Sequence, residues 1–435
     1  MKYYQKLTIL LGLIWGFIAI QRIVIAIIMP AIQADMKFTY TDVGMIISIT
    51  GLIWAFGTII WASIGDTYGR RPVIVFCGIL ASIFSWMTGM VGSLGQMLAV
   101  RGVLGFFEGG PWGPAVATVA EEAPPEKRGG LVGLIPGAFM LIGVCLGPII
   151  AVQILQKMGW RSVFYIISIP GIILAIIAAL FMHEPASVAA GIKARKSGQK
   201  RVVMQQGHKV KLSDVLKYKN VIVSTVNSVP VMAWLWIYSG FSALFLAKVH
   251  HLPMEAIGLA MAASGLGGFV GMVVMGRLSD GIGRKTAIIL SGLLCCLSGL
   301  SIIALPVGSP LVLFCVLFFF WGMFGGASFP LYLGTLPTEA VPPEFAGTAV
   351  GVPTAVGEII GAAVMPTIAG ALADAFSLYA PMWMAAIAGL VIMLVSLGYV
   401  ETAPGKLAKM AKKPTHDDHL LRPFRGKEPA VAPEG

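Results

Sequence analysis

Twelve long apolar runs constrain this chain more than any other feature of its sequence. A helix needs about 20 predominantly apolar residues to cross the hydrocarbon core of a bilayer, and every run reaches about that length. The runs cover roughly residues 8–31, 42–64, 72–93, 95–119, 129–154 and 162–182 in the first half, and 220–247, 254–279, 286–307, 309–335, 346–372 and 380–401 in the second. The sequence therefore predicts an all-α membrane protein with 12 transmembrane helices, which we number as spans.

The composition excludes an ordinary water-soluble protein. Only 12% of the residues are charged, against about 25% in soluble domains, and the mean hydropathy is +0.86. All five cysteines fall within apolar runs and lack the spacing of metal ligands, so we interpret them as small core residues. The sequence contains no nucleotide-binding loop, nucleophile triad or metal cluster, and we expect neither an enzyme nor a bound cofactor.

Basic residues are distributed unevenly between the two sides of the predicted bundle. The odd-numbered loops carry only Lys37, Lys157, Arg161 and Lys248. The even-numbered loops and the tails carry Lys2, Lys6, Arg70, Arg71, Lys127, Arg128, Arg284, Lys285 and two clusters, Lys193 to Lys219 and Lys406 to Lys427. Because basic loops stay in the cytoplasm, we expect a multi-pass protein of the plasma (inner) membrane with both termini cytoplasmic. The net charge of +11 then reflects topology and contact with membrane lipid, and nucleic acid is not an expected partner.

One polar segment interrupts the hydrophobic pattern near the middle of the chain. It runs from about Glu184 to Asn220 and contains GIKARKSGQKR. We interpret it as a cytoplasmic linker, which predicts an N-terminal six-helix bundle over 1–183, a linker over 184–219, a C-terminal six-helix bundle over 220–401 and a cytoplasmic tail over 402–435. The end of the linker, KLSDVLKYKN, is compatible with a short surface helix.

The two halves repeat each other. SIGDTYGRRP follows the second span and RLSDGIGRKT follows the eighth, which places Asp66 and Asp280 at matching positions 214 residues apart. EEAPPEKRGGLVG follows the fourth span and TEAVPPEFAGTAVG the tenth, and GVCLGP and GAAVMP match in the fifth and eleventh. Several matches at nearly one offset predict two bundles related by a pseudo-two-fold axis normal to the membrane, which is a transporter architecture.

GDTYGRRP and GRLSDGIGRK resemble the two copies of the loop motif of the major facilitator superfamily. The second copy is complete, whereas Ala62 and Thr67 depart from the pattern in the first. The candidate gating residues are Asp66, Gly69, Arg70, Arg71, Asp280, Gly283, Arg284 and Lys285. Asp66 can pair with Arg70 or Arg71, or face a neighbouring helix terminus, and such contacts can hold the two halves together on the cytoplasmic side.

Four ionisable residues lie well inside the spans: Arg22, Arg101, Glu108 and Glu358. Burying one costs about 3 kcal/mol, so such residues usually face a cavity or pair with one another. Arg101 and Glu108 are seven residues apart and share one helix face, about 10 Å apart along the axis. Arginine keeps its proton, whereas a buried glutamate can take up and release one. This predicts that Arg101 holds an anion, with Arg22 completing the anion site, and that Glu108 carries a proton. The alternative is that these buried charges only stabilise the bundle.

The surrounding residues, RGVLGFFEGGPWGPAVATVAEEAPPEKRG and GWRSVFYI, resemble the anion:cation symporter family of organic anion transporters. The resemblance implies that Arg101 binds a substrate carboxylate and that Glu108 serves proton coupling. The first span of that family usually carries an Asp-Arg pair, and here it is Gln21-Arg22. Either Glu108 alone couples proton movement to transport, or another residue replaces the missing aspartate. Glu358 is the candidate for that replacement. Three roles are open for it: a protonated and hydrogen-bonded group, a second proton carrier, or a contact to the substrate.

Polar and aromatic side chains of the second half supply further candidate substrate contacts. Asn227, Trp234, Trp236 and Tyr238 in the seventh span, with Tyr332 in the tenth, either line a cavity or form packing and interfacial contacts. Few amides or hydroxyls accompany them, which favours a small or aromatic carboxylate over a hydroxylated sugar acid.

These features together predict a secondary transporter. The expected activity is import of a small organic anion by proton symport, through alternating access and as a functional monomer. An organic anion exchanger or uniporter is the first alternative. A proton-coupled drug exporter is the second, although two buried arginines disfavour a cationic substrate, and a non-transporting membrane sensor is the third.

Overall fold

The computed structural model describes residues 1–124, 127–196, 212–342 and 345–411, and these residues form an all-α membrane protein. Within them, eleven continuous helices are long and apolar enough to cross a membrane. They are Tyr3–Ile27, Tyr40–Tyr68, Arg70–Thr88, Gly130–Met158, Trp160–Phe181, Lys219–Lys248, Met254–Ile282, Arg284–Ile303, Leu311–Glu339, Ala346–Ala375 and Tyr379–Ser396. These are the predicted spans except the fourth. Parts of the basic linker and of the basic tail, residues 197–211 and 412–435, lie outside the described residues.

The fourth span is broken, whereas the sequence predicts one helix over about 95–119. It consists of Leu94–Glu108 and Trp112–Glu122. A Cβ on Gly109 would lie 2.7 Å from the backbone of the second span, so this site requires glycine, and Pro111 occupies the N-cap position before the next helix. The break places Glu108 at the very end of a helix in the middle of the bundle.

Wide helical turns, with hydrogen bonds of the i→i+5 type, interrupt three other spans. Those at Phe139–Leu146 and Gly357–Ala362 occupy equivalent positions of the repeat, and a third covers Pro330–Thr335. A proline precedes each of the first two by three or four residues and removes a backbone donor. Such turns often mark functional sites, and Glu358 lies in one of them.

Short helices accompany the spans. Met29–Met36 follows the first span, Ala186–Lys196 follows the sixth, a single turn at Leu212–Val215 falls in the predicted surface helix, and Pro404–Ala411 follows the twelfth. The Tyr3 hydroxyl accepts a hydrogen bond from the backbone N–H of His183, and Asn220 exchanges hydrogen bonds with Val400. The ends of each bundle therefore lie on the same face, which we call the terminal side.

The two bundles are tightly packed on the side opposite the termini. A Cβ on Gly44 would lie 2.3 Å from the carbonyl oxygen of Pro366, and one on Gly265 would lie 2.3 Å from the backbone of Val144. These contacts join the second span to the eleventh and the eighth to the fifth. On the terminal side, Gly334 faces open space. The structure is therefore closed on one side and open between the bundles towards the termini.

Asp374 forms a latch on the closed side. Its carboxylate accepts hydrogen bonds from the backbone N–H groups of Tyr40 (3.0 Å) and Thr41 (2.7 Å) and from the Thr41 hydroxyl (2.6 Å), which joins the eleventh span to the second. The carboxylate also meets the positive end of a helix dipole.

Replacing Asp374 with asparagine is expected to favour the conformation in which this side is open. Asparagine lacks the negative charge and has one acceptor oxygen in place of two. We expect the free-energy difference between the closed and open conformations to change by about 1–2 kcal/mol, or roughly tenfold in their ratio. Distances between spin labels placed on the second and eleventh spans, at their ends on the closed side, measure that ratio. Asp42→Asn is the matched control, because Asp42 caps the same helix within its own bundle. An unchanged distance distribution in Asp374→Asn would contradict the latch.

Candidate functional site

A cavity of about 370 Å³ lies between the two bundles. It is bordered by the first, second, fourth and fifth spans of one bundle and by the seventh, eighth, tenth and eleventh of the other. Its lining consists of Trp15, Arg22, Trp54, Trp112, Val116, Val132, Gly133, Pro136, Phe139, Met140, Met232, Leu235, Trp236, Met272, Phe329, Pro330, Leu333, Gly334, Val350, Thr354 and Glu358. The cavity extends from the middle of the bundle towards the terminal side.

Arg22 and Glu358 form an ion pair across the two bundles. The distance between a terminal guanidinium nitrogen and Oε2 is 3.6 Å, and the side chains are 4% and 5% exposed. Both atoms, and Arg22 Nε, have no hydrogen-bond partner among the described residues. A buried pair with unused donors and acceptors is costly unless a ligand or a proton completes it. The structure thus supplies a partner for Glu358 that the sequence did not identify.

Two tryptophans flank the guanidinium of Arg22. The ring centroid of Trp54 lies 4.8 Å from its central carbon, and that of Trp236 lies 4.2 Å away. One ring comes from each bundle, and both contacts are of the cation–π type. The rings restrict Arg22 to a narrow slot at the head of the cavity.

Arg101 lies behind Arg22 and not in the lining of the cavity. It is 1% exposed, and its two terminal nitrogens donate hydrogen bonds of 3.0 Å to the carbonyl oxygens of Gln21 and Arg22. Both arginines border a small pocket of about 10 Å³. The structure therefore shows Arg101 fixing the backbone that carries Arg22, and direct binding of a substrate carboxylate by Arg101 stays a prediction.

Glu108 is completely buried, and neither of its carboxyl oxygens has a hydrogen-bond partner among the residues that the structure describes. It forms no ion pair with Arg101 within that part of the chain, as their helical spacing predicts. A carboxyl in such surroundings is held at least cost in its neutral form. Glu108 also lies outside the cavity lining, so the structure places the two buried glutamates in different surroundings.

Five of the expected substrate contacts are not among the side chains that line the cavity. Gln21 donates a hydrogen bond of 3.0 Å to the Ser82 hydroxyl inside the first bundle, and Asn227 donates one of 3.0 Å to the Ser396 hydroxyl inside the second. Trp234 and Tyr238 stack on each other, with ring centroids 5.3 Å apart, in the packed core of the second bundle. Tyr332 is fully buried in a separate hydrophobic cluster of the same bundle.

The three tryptophans that the first bundle contributes to the lining, Trp15, Trp54 and Trp112, were not among the predicted substrate contacts. One signal was present, because Trp15 lies seven residues before Arg22 and hence on the same helix face. The tryptophans of the second and fourth spans have no comparable marker in the sequence.

The loop motif of the first bundle is built around Arg70. Arg70 pairs with Asp66 at 3.6 Å and with Glu121 at 2.7 Å. The carboxylate of Glu184 accepts hydrogen bonds from the backbone N–H groups of Arg70 and Arg71, and the Arg71 guanidinium donates to the carbonyl oxygen of Ala179. Gly69 has φ = 121°, a conformation that L side chains rarely adopt.

The second bundle repeats this network around Arg284. Arg284 pairs with Asp280 at 2.5 Å and with Glu339 at 3.1 Å, and its backbone N–H donates to Glu401. Gly283 has φ = 100°, and Lys285 follows at a partly exposed position. The pairs found here join spans of the same bundle, so a motif contact between the bundles stays a prediction. The four glutamates that complete the two networks were not among the predicted gating residues.

Comparisons with known proteins agree with this architecture. The family model described as Major Facilitator Superfamily matches residues 11–359 and 232–429. A probable 4-methylmuconolactone transporter of Cupriavidus pinatubonensis is 25% identical over 357 residues, which is 80% of this chain and 79% of that protein. The hexuronate transporter of Bacillus subtilis is 25% identical over 276 residues, 62% of each chain.

A solved structure has the same fold. It is the crystal structure of a bacterial homolog of the human lysosomal transporter Spinster, in an inward-facing and unoccupied conformation. It superposes with a TM-score of 0.74 at 19% sequence identity and covers 92% of this chain and 98% of its own.

Proposed function

Because the chain belongs to the major facilitator superfamily and is a multi-pass integral membrane protein of the secondary transporter class, we propose that it imports a small organic anion by proton symport. The terminal side is the cytoplasmic side of the inner membrane in this proposal, because it carries the basic loops. The cavity then opens to the cytoplasm, as at the end of an import cycle. Distant relatives named as hexuronate and 4-methylmuconolactone transporters support an organic substrate.

The ion pair between Arg22 and Glu358 is the observation that carries the proposal. A charged Glu358 occupies Arg22 and ties the first bundle to the second. Protonation of Glu358 removes that charge and frees Arg22 for an external anion. When the anion and the proton leave on the cytoplasmic side, the pair forms again. Anion and proton are thus coupled because each changes the free energy of binding the other.

Charge balance extends the coupling to Glu108. With both glutamates ionised, the charges of Arg22, Arg101, Glu108 and Glu358 sum to zero. Protonation of either glutamate leaves one net positive charge in a region from which water is largely excluded, and this charge attracts an anion. Glu108 needs no contact with the substrate in this scheme, which is consistent with its position outside the cavity lining.

Proton movement in liposomes tests the proposal. Purified protein is reconstituted around a pH-sensitive dye, and a panel of organic anions is added outside. We expect certain anions to acidify the interior of wild-type liposomes, and Glu358→Gln to reduce this signal by at least about tenfold, because the amide cannot carry a proton. Glu108→Gln, measured in parallel, shows whether one or both carboxyls couple proton movement to anion transport.

Two controls make this measurement specific. Protein-free liposomes give the acidification caused by weak acids that cross the bilayer unaided, which is subtracted. Glu255→Gln removes an exposed carboxylate at the start of the eighth span and should behave as wild type. Anion exchange with no proton movement in any form would contradict symport and favour an exchanger or uniporter.

A further inference from the structure

The cavity lining is apolar almost throughout, which limits the anions that fit it. Arg22 and Glu358 are its ionisable side chains, and Thr354 contributes its one aliphatic hydroxyl within the described residues. Each hydroxyl of a polyhydroxylated acid would exchange water for an apolar wall on entering, which is unfavourable. The lining therefore suits a ligand with one polar end and an apolar body.

The cationic end of the site accommodates one carboxylate. The rings of Trp54 and Trp236 lie 4.8 Å and 4.2 Å from the central carbon of the Arg22 guanidinium and limit the space in which a ligand can approach it. The indole N–H groups of these tryptophans are buried without hydrogen-bond partners in the described part of the chain, as is Arg22 Nε. Unpaired donors therefore lie beside the carboxyl of Glu358 in the described part of the chain.

A second carboxylate on the same ligand would find no further cation in the cavity lining among the described residues. The terminal nitrogens of Arg101 donate to backbone carbonyl oxygens behind Arg22. The remaining ionisable group in the lining is Glu358, which repels an anion when charged. A dicarboxylate would therefore leave one charge buried and uncompensated.

Aromatic rings line the cavity between this slot and the terminal side. Trp15 and Trp112 have ring centroids 4.8 Å apart, and the ring of Phe139 lies 6.0 Å from that of Trp15. Trp15 is two helical turns from Arg22 on the same face, about 10 Å along the axis. A carboxylate at Arg22 places the body of a small ligand against these rings.

We propose that the transported anion is an aromatic monocarboxylate, with its carboxylate on Arg22 and its ring against Trp15 and Trp112. The inference rests on the proposed role of the cavity as the substrate site. The volume of about 370 Å³ is sufficient for a ligand with a single ring.

Calorimetric titration of the purified full-length protein tests the substrate class. The probes are phenylacetate, the dicarboxylate succinate, the polyhydroxylated gluconate and the uncharged phenylacetamide. We expect phenylacetate to bind at least about tenfold more tightly than the other three, because it alone combines one charge with an aromatic ring. Tighter binding of succinate or gluconate, or no binding of phenylacetate, overturns the inference.

Substitution of the aromatic wall tests the position of the ring. Trp112→Ala should weaken phenylacetate on the order of tenfold, whereas Trp112→Phe keeps a ring and should retain most of the affinity. Trp383→Ala is the matched control, because Trp383 is 46% exposed on the outer surface of the second bundle. Equal affinities in the wild type and Trp112→Ala would contradict the placement.

The two proposals fail in different ways. Binding of phenylacetate without proton movement in liposomes would overturn proton symport and leave the substrate class standing. Proton movement driven by succinate or gluconate but not by phenylacetate would overturn the substrate class and leave symport standing.

Discussion

Arg22→Ala is expected to abolish anion transport. The substitution removes the cation to which the cavity leads, and loss of a charge-assisted, buried contact costs about 2–4 kcal/mol, or about 30- to 1000-fold in affinity. The probe affinity measured by calorimetry should fall accordingly, and uptake into liposomes should fall to the protein-free level. Arg161→Ala is the matched control, because Arg161 is 43% exposed at the start of the sixth span, away from the cavity lining, and pairs with Asp35.

The same substitution should also destabilise the protein. It leaves the carboxylate of Glu358 buried without its partner, at a cost of about 3–5 kcal/mol when that group stays charged. The double variant Arg22→Ala/Glu358→Gln removes both charges and should recover most of the thermal stability while remaining inactive. Anion binding by Arg22→Ala at wild-type affinity would show that Arg22 is not the substrate cation. A double variant no more stable than Arg22→Ala would contradict the ion pair.

Arg101→Ala is expected to cause the second large effect, and to act through the fold. The guanidinium makes two hydrogen bonds to the carbonyl oxygens of Gln21 and Arg22, which join the fourth span to the first. Together they contribute on the order of 2–6 kcal/mol, with the lower value typical of hydrogen bonds inside membranes. Their loss should lower the unfolding temperature and displace Arg22, so transport should fall as well.

Conservative substitutions separate this role from direct substrate binding. Arg101→Lys keeps the charge but cannot donate to both carbonyl oxygens in the same planar geometry, so it should remain destabilised and poorly active. Arg128→Ala, at an exposed position just before the fifth span, should match the wild type. Wild-type stability in Arg101→Ala, combined with a loss of anion binding, would favour a direct contact between Arg101 and the substrate.

The membrane helices and the buried charges were predictable from local sequence. Length and hydropathy decide where a helix can span, and the cost of burial marks Arg22, Arg101, Glu108 and Glu358 against an apolar background. The break in the fourth span was harder to predict, because GGPWGP interrupts the helix without interrupting the apolar run.

The lining contributed by the seventh span illustrates why part of the site was not predictable. This helix, Lys219–Lys248, is apolar all round and buried along most of its length. A helix without a polar face carries no signal for which side meets a cavity. Trp234 and Tyr238 therefore looked as suitable as Trp236, and packing against each other and against the tenth span places them in the core instead.

Local composition and spacing are enough to predict which segments cross the membrane, that the two halves repeat, and that four charged residues lie within the spans. The folded chain was needed to show that Glu358 pairs with Arg22, that Arg101 binds backbone carbonyl groups, and that Trp54 and Trp236 flank the guanidinium. These contacts join residues up to 336 positions apart and depend on how the bundles rotate against each other, which no local pattern encodes.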